Sequence, residues 1–60
     1  MNMILVVSVV IAGVLQPTTL RLAATGPDCM AEIITIAEIN RVNVRAQVPV
    51  QYVFNCEAAQ

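Results

Sequence analysis

Two cysteines, Cys29 and Cys56, carry the clearest chemistry in this sequence, and that chemistry is a disulfide bond. The catalytic alternatives fail on composition. The chain has no histidine, so its single serine, Ser8, has no imidazole base. Two cysteines without histidine or a Cys-x-x-Cys spacing cannot assemble a four-ligand zinc site. Glu32 and Glu38 are the carboxylate pair to weigh for acid–base work. Placed on one strand face, six residues apart, they stand roughly 20 Å from each other, too far to share a substrate atom. Gly13 and Gly26 are isolated, so no phosphate-cradling loop exists, and no asparagine begins an Asn-x-Ser/Thr acceptor. No catalytic, cofactor-binding or metal-binding residue is assigned, no cofactor is expected, and the chain is not expected to be an enzyme.

The elements that must position the cysteines are short. Sixty residues allow one small domain, and a domain of that size buries only about 60% of the surface its unfolded chain exposes. Hydrophobic residues make up 58% of the chain and charged residues 12%, against roughly 25% charged in an ordinary soluble domain. So much apolar surface is expected to face lipid, another subunit or a second copy. The net charge is −1, with three arginines, no lysine and no basic cluster. That argues against nucleic acid as a partner. Asp28, Glu32, Glu38 and Glu57 are scattered and form no acidic tail.

Residues 3–15 are the most apolar stretch, with Ile4, Leu5, Val6, Val7, Val9, Val10 and Ile11 at its centre. β-Branched residues suit a pleated surface, so the leading expectation is a strand covered on both faces, partly by a partner. Two other readings compete. A secretory signal has the right apolar length here but lacks a basic start. A membrane anchor would bring residues 3–15 into lipid, although the run is shorter than the roughly 20 residues of a spanning helix. Met1 is expected to be held by contacts.

Turn-forming residues divide the remainder. Gln16-Pro17 reads as a tight turn that sets Gly13 opposite Leu20, Ile11 opposite Leu22 and Val9 opposite Ala24. Gly26-Pro27-Asp28 reads as a break. A short strand is expected over 18–25, a β-hairpin over 29–56 and a tail over 57–60. In the last run Val48, Val50, Tyr52, Phe54 and Cys56 alternate with Gln47, Pro49, Gln51, Val53 and Asn55, the period of a half-buried strand. Folding 29–39 against 44–56 around Val42-Asn43 puts Ile39 opposite Ala46, Ile33 opposite Tyr52 and Cys29 opposite Cys56. Opposed residues of antiparallel strands lie about 4.5–5.5 Å apart at Cα, within disulfide range. The bond closes a loop of about 28 residues and contributes on the order of 3.5 kcal/mol in the chain-entropy model.

The expected fold is thus all-β: a small antiparallel meander, one domain over 1–60, with a disulfide-closed hairpin completed by neighbouring subunits. Val48, Val50, Tyr52, Phe54, Ile33 and Ile39 form the expected core and interaction face. The function that fits is a non-enzymatic structural subunit of a large assembly, such as a virus particle or surface filament. Its partners would be other protein subunits or copies of itself, with no nucleic acid and no small-molecule substrate. A small secreted or periplasmic binding protein and a membrane-anchored accessory subunit are the alternatives. A disulfide implies an oxidising setting for each.

Overall fold

The first turn falls at Ala12-Gly13. Both residues have positive φ, +50° and +81°, as a two-residue hairpin turn requires, and glycine meets that requirement without a steric cost. The computed structural model, which describes residues 2–59, therefore pairs β1 (Asn2–Ile11) with β2 (Val14–Thr25) in an antiparallel hairpin. The register is Val7 to Leu20, Leu5 to Leu22 and Met3 to Ala24. This replaces the expected turn at Gln16-Pro17 and its pairings. Pro17 instead sits where the register shifts, between the Ser8–Thr19 and Val10–Leu15 pairs. A residue without an N–H is tolerated at such a bulge. The first strand is apolar at nearly every position, so its pattern could not choose between the two registers.

The larger correction concerns residues 26–45, which form a helix, α1 (Gly26–Arg45), in place of the first strand of a hairpin. The fold is accordingly not purely all-β. Gly26-Pro27-Asp28 starts this helix. Thr25 is its N-cap, its hydroxyl accepting from the Asp28 N–H at 3.1 Å. Proline is pre-organised for the first turn, and Asp28 complements the helix dipole there. Cys29, Ile33, Ile36, Ala37, Asn40 and Asn43 fall at the i, i+4, i+7, i+8, i+11 and i+14 spacing of one helical face, and all are buried or half-buried. Arg45 lies in the last turn, and Gln47, with φ +58°, turns the chain out of the helix. β3 (Val50–Ala58) then returns antiparallel to β1, pairing Ile11 with Val50, Val7 with Phe54 and Leu5 with Cys56.

The result is a three-stranded antiparallel sheet in the order β2-β1-β3, with α1 on one face. Residues 2–11 supply its central strand. Glu57 and Ala58, expected in a tail, belong to β3, and the Ala59 N–H donates to the Asn2 carbonyl at 3.1 Å. The expected contacts at Met1 lie outside the described residues.

Cys29 and Cys56 are bonded, with their Cα atoms 6.2 Å apart. The helix reaches the same partner as the expected hairpin by a different count. From Cys29 to Arg45 it rises about 24 Å at 1.5 Å per residue. From Val50 to Cys56 a strand covers about 20 Å. The two elements return over nearly equal lengths, so the start of α1 lies beside the end of β3.

The fully enclosed core is small. Cys29 is 0% exposed and Leu5 4% exposed, and no other large apolar side chain is buried among the described residues. The molecule is thin, 37 × 23 × 10 Å, with a radius of gyration of 12.3 Å, against about 10.4 Å for a compact chain of this length.

Candidate interaction surface

The expected face residues divide among the helix, β3 and the turn that precedes it. Val50, Tyr52 and Phe54 are half-buried on the sheet face that α1 covers, in register with Ile11, Val9 and Val7 of β1. Ile33 is half-buried on the helix face toward the sheet. Ile39 and Val48 are exposed, the first on the flank of α1 and the second in the turn before β3. In β1, Leu5, Val7, Val9 and Ile11 point to the helix side, and Ile4, Val6 and Val10 point to the uncovered face. Those three are half-buried by their neighbours in the sheet alone.

On the uncovered face the polar side chains are tied to one another. The Ser8 and Thr19 hydroxyls lie 3.2 Å apart. Arg21 on β2 reaches across β1 to Glu57 on β3, Nη2 to Oε2 2.9 Å. Both side chains are about half exposed, so the pair contributes roughly 0–1 kcal/mol. On the outer side of α1, Arg41 donates to Glu38. That hydrogen bond and the arginine's charge hold the Glu38 carboxyl below its ordinary value, with a smaller contribution from Arg45. The ion pair's effect is therefore present above the usual carboxylate range and fades as pH falls through the lowered folded value. Glu32 and Glu38 share a helix rather than a strand. Six residues rise about 9 Å and wind about one and two-thirds turns, so the two carboxylates leave on different faces. Among the described residues no cluster of metal-ligating side chains occurs.

The two sheet edges differ, which the sequence pattern did not reveal. The Ala12 N–H donates to Pro49 O and the Ala59 N–H to Asn2 O. With antiparallel alternation, these bonds fix the rest of the ladder. Even-numbered residues of β1 bond to β3, and odd-numbered residues bond to β2. The N–H and C=O groups of Val50, Tyr52, Phe54 and Cys56 therefore point off the β3 edge. Asn40 closes part of it. Its Oδ1 accepts from the Tyr52 N–H at 2.8 Å and its Nδ2 donates to the Tyr52 C=O at 2.9 Å. Asn43 Nδ2 donates to the Val50 C=O at 3.0 Å. A side-chain amide here takes the place of a neighbouring strand. The available signal was two asparagines within the otherwise apolar helical stripe, since buried amides need partners.

Asn40→Ala is expected to free both Tyr52 backbone groups and to cost about 1–2 kcal/mol. Hydrogen exchange is the direct measurement. The Tyr52 amide should pass from protected to fast, and unchanged protection would show that Asn40 does not cover this edge.

Among the described residues the β2 edge has no such cover. By the same alternation the outward groups are those of Thr19, Arg21 and Ala23. Leu20 and Leu22, on the helix side, are 54% and 47% exposed, because α1 lies mainly over β3. Between β2 and the helix runs an open cleft lined by Leu22, Ala24, Asp28, Ala31 and Glu32. No helix among the described residues is long and apolar enough to cross a membrane. The disulfide points to an oxidising environment. Compared with protein-family models, curated proteins and solved structures, the chain matches none of them.

Proposed function

We propose that this chain is a non-enzymatic structural subunit, stapled by Cys29–Cys56, whose apolar surface is completed by other protein chains in an extracellular assembly. One observation carries the reading. Among the described residues twelve large apolar side chains are exposed, Ile34, Val44, Val14 and Leu15 among the most open, while Leu5 is the single large aliphatic side chain enclosed. Contiguous exposed apolar surface usually marks an interaction site. The accessible surface of 4310 Å² also exceeds the roughly 3,800 Å² that size scaling gives for a folded protein of this mass. A thin, one-helix sheet with an open back is a shape that neighbours complete. A virus particle or a surface filament is the setting we propose, since a small stapled subunit that cements a larger shell needs no active site.

The test is isolation of the chain from its native source without reductant or detergent, followed by native mass analysis. The expected result is a complex containing this chain in fixed stoichiometry. A free, well-dispersed monomer of 6.5 kDa would defeat the proposal.

A further inference from the structure

We infer that β2 pairs antiparallel with β2 of a second copy, joining two sheets into one of six strands. The inference rests on the proposal that other chains cover this surface, and it names one of them. Asn40 and Asn43 occupy backbone groups along the first half of the β3 edge. Thr19, Arg21 and Ala23 leave theirs open along β2, and an open edge is a template for another strand.

The residues of β2 also select a register. Like charges directly opposite one another are destabilising, which disfavours Arg21 facing its own copy. Sliding one way would place Pro17 opposite Ala23, where proline has no N–H to donate. Sliding the other way places Arg21 opposite Ala23 of the second copy, Thr19 opposite Thr25 and Leu22 opposite Leu22. Pro17 then lies outside the paired segment. In this register Arg21 and Ala23 form the hydrogen-bonded pairs, and their outward N–H and C=O groups are the free ones. Leu22 meets its counterpart in a non-hydrogen-bonded pair, where side chains approach most closely. Each Arg21 is already held by Glu57 of its own chain, which reduces repulsion between the two arginines. Both helices lie on the same face of the joined sheet, displaced toward the outer strands. The exposed leucines fill the channel between them. A standard interface takes about 800 Å² from each partner, roughly a fifth of the 4310 Å² that one chain exposes.

The experiment uses the full oxidised chain. Light scattering should give about 13 kDa, twice the 6.5 kDa of one chain. Ala23→Pro removes an outward N–H that the chain's own ladder does not use, so mass should halve while the Cys29–Cys56 bond stays intact. Leu22→Cys should form a covalent dimer under mild oxidation, since opposed Cα atoms in such a pair lie about 4.5 Å apart. Leu20→Cys, facing Ala24 instead, should link far less. The cross-link remains informative even where Ala23→Pro does not fold. A chain that stays monomeric and forms no Leu22→Cys dimer overturns the inference, as does equal linking through Leu20→Cys. If that chain is still recovered in a native complex with a different protein, the structural-subunit proposal stands without self-pairing. An isolated dimer with no larger complex supports self-pairing and sinks the larger assembly.

Discussion

Replacing Cys29 and Cys56 together should lower the unfolding free energy by about 3.5 kcal/mol, the loop-closure entropy of the ring they form. A 60-residue domain has only about 3–9 kcal/mol in total at typical stability per residue, so the double substitution removes more than a third of it and should lower the unfolding midpoint steeply. Two further considerations push the same way. Cys29 is the most enclosed side chain among the described residues, so alanine there leaves a small cavity where the sulfur packed. The bond is also the covalent tie between α1 and the end of β3. Denaturant unfolding of the oxidised, reduced and Cys29→Ala/Cys56→Ala chains is the measurement. Equal midpoints in all three would show that packing alone holds the helix on the sheet.

The second large effect is expected at Leu5. This residue occupies the middle of the central strand, between Leu22 on β2 and Cys56 on β3, and it is 4% exposed. Truncating a buried leucine to alanine costs about 2–5 kcal/mol, depending on how far the surroundings collapse. Here the disulfide limits that collapse, which places Leu5→Ala toward the upper part of the range. Phe54→Ala offers an internal comparison. Phe54 is only half-buried, so it should lose less, about 2–3 kcal/mol against the 3–5 of a fully enclosed aromatic. Thermal melts of both variants in the oxidised state would check the ranking. A Phe54→Ala loss larger than that of Leu5→Ala would mean that the core is centred over the middle of β3 rather than beneath the disulfide.

The sequence was informative where alternation was strict. The Val50, Tyr52, Phe54, Cys56 face is distinct from Gln51, Val53 and Asn55, and β3 carries that face on its helix side. The disulfide was legible as a pairing although its scaffold was not. Residues 29–39 contain Ile33, Ile34, Ile36 and Ile39, whose β-branching favours strands, and their rough alternation obscured the helical stripe running from Cys29 to Asn43. The competing evidence lay in Thr25, Pro27 and Asp28, each suited to a helix start. Their neighbour Gly26 made the same group look like a break. The β2 edge was harder still. Its openness follows from hydrogen-bond direction in the ladder, and a period-two pattern shows which face a side chain takes without showing which edge a carbonyl faces.

The strand order also sets a timetable. β1 occupies the centre of the sheet, yet one of its two neighbours, β3, follows both β2 and α1 in chain order. During synthesis the β1–β2 hairpin can close as soon as the Ala12-Gly13 turn has formed, a matter of microseconds for an isolated hairpin. The other side of β1 must then wait for β3, some forty residues later. Through that interval β1 presents an open, strongly apolar edge, the condition in which nascent chains mispair. A growing chain of this sequence therefore has its greatest exposure to aggregation after the β1–β2 hairpin closes and before β3 emerges. That interval ends when β3 pairs with β1 and brings Cys56 to Cys29.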